Sequence, residues 1–234
     1  MNLLAAAVIL STGTITPLNV RDPTALIMTP GGLSAPAPTL DLSAKEAEAA
    51  GDAAWTGGSA SRALMFYLHA QKSGEGSREL IVKTAITQVL SGEPTQAVRP
   101  PLERLIKRDP DYAAAHWALA TAYEPPDHTV KPEHTRDILL ALKSLERAIK
   151  LSPKIAALHY ESALLLRMIA HFEGAGSRKA GLAAAPGCRK AVELAPSWDR
   201  KLIVCEDYFV DAGLPKDAAR ARKLLDRFLD TPPE

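Results

Sequence analysis

The chain has 234 residues, with 28 Lys and Arg against 27 Asp and Glu, a formal net charge of +1. That balance supplies no basic field to recruit nucleic acid or an anionic membrane. Hydrophobic residues make up 47% and aromatics only 5%, which argues against a β-sandwich and for helices packed closely through small side chains.

The start of the chain reads in two ways. Leu3 to Leu10 is an eight-residue apolar run, within the range of a signal-peptide core and too short to span a bilayer. No Lys or Arg precedes it, and the nearest small-x-small site, Ala35-Pro36-Ala37, lies far downstream. It is either a degenerate export signal, which favours the bacterial periplasm or envelope over the cytoplasm, or an apolar arm that packs on the body. Residues 11–41 hold no lasting period. Thr29-Pro30-Gly31-Gly32 and Ala35-Pro36-Ala37-Pro38 break any helix there. Residues 1–41 are therefore read as an apolar segment and linker, and 42–230 as the folded domain.

Order begins at Asp41 or Ser43, either able to cap a helix, with Glu46 in the first turn. Helical runs then alternate with short breaks. The pattern predicts helices over 43–55, 59–73, 77–90, 94–107, 111–123, 133–151, 153–172, 181–194, 196–211 and 215–229. Gly57-Gly58, Gly74-Glu75-Gly76, Gly92 and Gly174-Ala175-Gly176 punctuate them. Pro100-Pro101 interrupts the fourth, and Pro186 is read as lying near the start of the eighth. No run alternates apolar and β-branched residues long enough to make a sheet. Such short breaks make successive helices antiparallel neighbours. A single hairpin cannot bury its apolar face, so the hairpins are expected to stack.

A prolyl beat marks the later part of the chain. Pro110, Pro153 and Pro196 are each 43 residues apart, and each follows a helical run and opens the next. Between them, Pro110 to Tyr123 resembles the first helix of a tetratricopeptide repeat: His116 takes the large position, Leu119 the leucine, Ala120 the small residue and Tyr123 the tyrosine. Ala141, Leu145, Ala148 and Pro153 match its second helix. Gly51, Gly58, Ala63, Tyr67 and Ala70 repeat the pattern in the first hairpin. His159 and Ala163, then Ala184, Cys188 and Ala191, keep the spacing in the next, with cysteine as a small hydrophobe. Ser162 replaces the expected leucine, and Pro101 stands where a large residue is usual. The last hairpin is degenerate, and its seven basic and seven acidic residues between Asp199 and Asp230 nearly cancel, as suits a polar terminal cap.

The resemblance covers residues 42–229. It implies an all-α fold, a right-handed α-solenoid of about five antiparallel helix hairpins. The family repeat runs to about 34 residues. The surplus in the 43-residue units falls between Glu124 and Thr135 and between Phe172 and Ala183, and both stretches are expected as loops on one edge, near each other.

No nucleophile elbow, phosphate-binding glycine loop or zinc spacing appears, so the chain is read as non-enzymatic, with no catalytic residue, no cofactor and no metal. His128 and His134, beside Asp127 and Glu133, form either a metal site or, the preferred reading, a polar loop. His116-Trp117 and His159-Tyr160 recur at the repeat period, which favours packing over catalysis. Cys188 and Cys205 fall at inward positions of consecutive helices, as two buried thiols or, in an exported protein, a disulfide. The resemblance implies a concave groove lined by the first helix of each hairpin, holding a protein or peptide. On this chain the groove-facing residues are Trp55, Trp117, Thr121, Tyr160, Arg167 and Asp207, unless Trp117 and Tyr160 pack between hairpins instead. The Asn and Lys of the family's carboxylate clamp are absent at the matching positions. The expected role is a protein-interaction scaffold. The alternative is a cell-envelope accessory protein of a transport or assembly system, resembling the TRAP-transporter T component in architecture. No nucleic-acid partner and no transmembrane span are expected, and the sequence sets neither the partner nor the oligomeric state.

Overall fold

The computed structural model describes residues 7–9, 15–17, 42–74, 76–124, 134–195 and 199–229. Ten helices account for nearly all of them: α1 (Ala44–Thr56), α2 (Ala60–Ser73), α3 (Arg78–Leu90), α4 (Thr95–Arg108), α5 (Ala113–Tyr123), α6 (Thr135–Leu151), α7 (Ala156–Phe172), α8 (Ser177–Leu194), α9 (Asp199–Ala212) and α10 (Pro215–Leu229). Ahead of them β1 (Ala7–Ile9) and β2 (Ile15–Pro17) pair antiparallel, with Val8 opposite Thr16. Val, Ile and Thr are β-branched residue types that favour such pairing. The expectation of no sheet holds for the helical body and fails in this arm, where the strands are only three residues each. No described helix is long and apolar enough to cross a membrane.

The chain divides into two compact units, residues 1–105 and 106–234. In the first, α1 packs on α2 and α2 on α3. Ser43 caps α1 with a reciprocal capping box: its hydroxyl accepts from the Glu46 N–H at 3.3 Å, and its own N–H donates to the Glu46 carboxylate at 2.9 Å. Ala47, Ala63, Tyr67, Ala70 and Leu80 form the core, with Trp55 partly buried against it. Gly51 is the reason α1 and α2 come so close. A Cβ there would lie 2.4 Å from Tyr67 Cε1. The Tyr67 hydroxyl donates to Asp52 at 2.8 Å, and Lys83 pairs with Asp52 and Glu48, each at 2.9 Å.

In the second unit each helix packs on the next, from α5 through α10. Here two glycines set the spacing. A Cβ at Gly187 would lie 2.6 Å from the His159 carbonyl oxygen on α7, and one at Gly181 would lie 2.7 Å from the Tyr208 carbonyl oxygen on α9. Both faces of α8 are thus in backbone contact with a neighbour. The core between them runs through Ala163, Ala184, Cys188, Leu202, Cys205 and Phe209.

The prolines correct part of the sequence reading. The eighth helix starts at Ser177, so Pro186 lies well inside it. Pro100 and Pro101 likewise sit within α4. Proline removes an N–H and disfavours a helix interior, but α7 and α9 hold α8 from two sides, and tertiary packing overrides the local preference. The consequence is that the second surplus stretch is mostly helix. After a left-handed turn at Gly174, with φ of 70°, it extends α8 to 18 residues beside a 17-residue α7. The expected edge loop is not formed on that side. The first surplus stretch, 125–133, lies outside the described residues.

The histidines at the prolyl beat have a specific job. The His116 ring N–H donates from Nε2 to the Pro110 carbonyl at 2.9 Å, and His159 Nε2 does the same to Pro153 at 2.8 Å. Each imidazole ties the first turns of its helix back to the proline six residues earlier. Both rings are only half-buried, so their role is this tie to the preceding turn and not the packing expected for them. At the third beat, the position six after Pro196 is Leu202, so the device stops there.

Candidate functional site

The first helices of the hairpins in the second unit, α5, α7 and α9, bring most of the sequence-predicted residues together. Trp117 on α5 is 2% exposed, and its indole N–H donates to Glu161 Oε2 on α7 at 2.6 Å. Thr121, one turn on, is also buried and donates its hydroxyl to the Trp117 carbonyl at 3.2 Å. Tyr160 is buried beside Glu161, with the Lys201 ammonium of α9 5.5 Å from its ring centroid. As placed, Trp117, Thr121 and Tyr160 are interior and offer a partner no surface. An aromatic followed by small residues at helical spacing fills the gap between first helices as readily as it lines a groove.

The other three keep surface. Arg167 on α7 bonds Asp211 of α9 at 2.7 Å and lies over the Tyr208 ring, 4.2 Å from its centroid. Ring stacking and carboxylate pairing both suit a guanidinium. Its Nη1 atom is buried with no hydrogen-bond partner among the described residues. Asp207 is exposed on α9. Trp55 lies in the first unit, partly buried against its core.

Sequence reasoning missed the acidic pair at the centre of this layer. Glu161 is 7% exposed. Burial holds its carboxyl above the usual carboxylate range, opposed by the Trp117 hydrogen bond and the Lys201 charge. Glu124, just past the end of α5, is raised by burial and then by the charge of Glu161. The available signal was a lone acid in the largely apolar first half of α7, Ala156 to Leu166, since burying a carboxylate is costly unless it is partnered or protonated.

A pH dependence follows. The folded-state values lie above the ordinary value of about 4.3, so the native state binds more protons than the unfolded chain in the range between. Stability is then greatest below that range and is lost as pH rises through the raised values toward neutrality. Glu161→Gln keeps a side-chain oxygen for the Trp117 indole and removes the titration. It should gain on the order of 1–3 kcal/mol over the wild type at pH 8 and nothing at pH 4. Melting curves from pH 4 to 8 check this, and parallel curves for the two proteins would refute it.

Among the described residues, no three His, Cys, Asp or Glu side chains come together as a metal site. His128, with Asp127 and Glu133, lies outside the described residues.

The stacked antiparallel hairpins, the small residues at helix crossings and the prolyl turns define an all-α helical repeat of the tetratricopeptide type. Solved structures share the fold. A thermophilic tetratricopeptide-repeat protein of Thermus thermophilus is similar at TM-score 0.63 and 19% identity, over 80% of this chain and 92% of that one. MamA residues 41 to the end, from Desulfovibrio magneticus, is similar at TM-score 0.54 and 18% identity, over 80% and 97%. A further MamA structure is similar at TM-score 0.52 and 19% identity, over 79% and 91%. No protein-family model matches the chain, and no curated protein is significantly similar to it.

Proposed function

We propose that the protein is a non-enzymatic scaffold that holds a protein or peptide partner against the first helices of its hairpins. The observation that carries this is the helical-repeat fold itself, an architecture whose per-repeat side chains present one extended face and whose core is spent on stacking. Within the second unit, Arg167 on α7 and Tyr208, Asp211 and Asp207 on α9 are among the groups that retain surface. Half-exposed aromatic and guanidinium groups are common anchors for an extended chain. In the first unit, Trp55 is an aromatic that is only partly buried.

The test is affinity capture from native lysate, read by mass spectrometry, with the wild type and Asp207→Lys side by side. Asp207 is exposed, so the substitution should leave the melting temperature within about 2 °C, as surface changes usually do. Capture of a specific partner should fall at least about tenfold, the effect of about 1.4 kcal/mol. A partner retained equally by both proteins removes the α9 face from the binding surface. No partner above an unrelated helical control removes the scaffold reading.

A further inference from the structure

Cys188 of α8 and Cys205 of α9 are both fully buried, and their Sγ atoms lie 2.6 Å apart. Two unbonded sulfurs do not rest comfortably at that separation, which is closer to the length of a disulfide bond, about 2.05 Å, than to an ordinary contact. The backbones of α8 and α9 are also in close contact about two turns away, where Gly181 lets the Tyr208 carbonyl and the Ala212 N–H sit 2.7 and 2.8 Å from the place of an ideal Cβ. Both cysteines belong to one buried core cluster that includes the small residues Ala184, Ala185 and Ala191. We propose that Cys188 and Cys205 are an intramolecular disulfide site, a covalent staple between the α7–α8 and α9–α10 hairpins.

The chemistry is thiol–disulfide exchange with a small-molecule or protein disulfide as oxidant. One cysteine thiolate attacks a sulfur of the oxidant's S–S bond, forms a mixed disulfide and expels one oxidant thiolate. The second cysteine, as its thiolate, attacks the sulfur of the first, breaks the mixed bond and expels the other oxidant thiolate. The protein loses two protons and two electrons, and the oxidant becomes two thiols. Once the core has closed, the Cys205 thiol and burial together push Cys188 up, against the charge of Arg167, so the folded Cys188 thiol is a poor nucleophile, and both sulfurs are shut away from an oxidant. The bond is therefore made as the hairpins fold, before α9 seals over α8. It encloses a 17-residue separation in sequence, long enough for the cross-link to limit the unfolded chain.

The full chain is refolded from denaturant at pH 8 in a mixture of oxidised and reduced glutathione, quenched in acid, then alkylated in denaturant and weighed intact. The expected product is two hydrogens lighter than the reduced chain and takes no alkyl group. Two alkyl groups per chain, or a retained glutathione, overturn the proposal. As a second reading, the oxidised protein should melt about 5–10 °C above the same protein treated with dithiothreitol, and that difference should vanish in Cys188→Ala. Equal melting of the oxidised and reduced forms also overturns it. Should Cys188→Ala fail to fold, the mass measurement on the wild type decides the matter.

Discussion

Trp117→Ala should lower the melting temperature by about 10 °C or more. The indole is 2% exposed on α5, and truncating a buried tryptophan costs about 3–5 kcal/mol through lost transfer energy and the cavity left behind. A second loss is particular to this site. The indole N–H is the hydrogen-bond donor to Glu161 Oε2, so its removal leaves a buried carboxyl short of a partner, worth about 1–3 kcal/mol more. Trp117→Phe separates the two effects, because it keeps most of the ring and removes the donor. It should cost about 1–3 kcal/mol at neutral pH, and less in the Glu161→Gln background, where no charge needs the donor. A Trp117→Ala protein with unchanged melting would show that α5 and α7 do not meet through this contact. The same placement puts the indole in the interior, where the resemblance implied a groove-lining side chain unless it packed between hairpins. A lost partner in that variant would report on folding as much as on binding.

Gly187→Ala should destabilise by about 1–3 kcal/mol, seen as a fall of about 3–10 °C in melting temperature. The sign is the informative part. At an open helical position, replacing glycine by alanine stabilises by about 1 kcal/mol. At Gly187 the new Cβ would sit 2.6 Å from the His159 carbonyl oxygen and 3.0 Å from the Ala163 Cβ. A backbone oxygen cannot swing aside as a flexible side chain can, so α7 and α8 must separate along their length. That shift would reach Cys188, the next residue, and weaken its approach to Cys205. A gain in stability at Gly187→Ala would mean that the two helices do not touch here.

Most of the helices are legible in the chain because their signals are local. Glycine breaks and the caps Ser43 and Ser77 bound α1 to α3 close to the predicted limits, and the spacing of Ala141, Leu145 and Ala148 marks the stripe of α6 that is fully buried. The first-helix pattern around Trp117 and the prolyl beat carry the repeat itself, since a hydrophobic face that must stack on a neighbour leaves a periodic trace. Sequence and structure part where neighbours overrule the local preference. Pro186 reads as a helix start and lies inside α8, because a helix packed on both sides keeps its form despite one missing N–H. β1 and β2 are too short to show an alternating pattern.

The candidate site divides along the same line. Residue type and repeat position put Trp117, Thr121, Tyr160, Arg167 and Asp207 on α5, α7 and α9. Which of these are interior and which retain surface depends on how closely the first helices stack, and that distance is set by contacts far apart in sequence. The pairing of Trp117 with Glu161, 44 residues away, and of Cys188 with Cys205 across two helices, likewise belongs to the tertiary structure. Helical period and small-residue spacing are written along one stretch of chain. The burial of a carboxyl, the meeting of two sulfurs and the burial of Trp117, Thr121 and Tyr160 are decided only when separate helices are brought to within a side chain of one another.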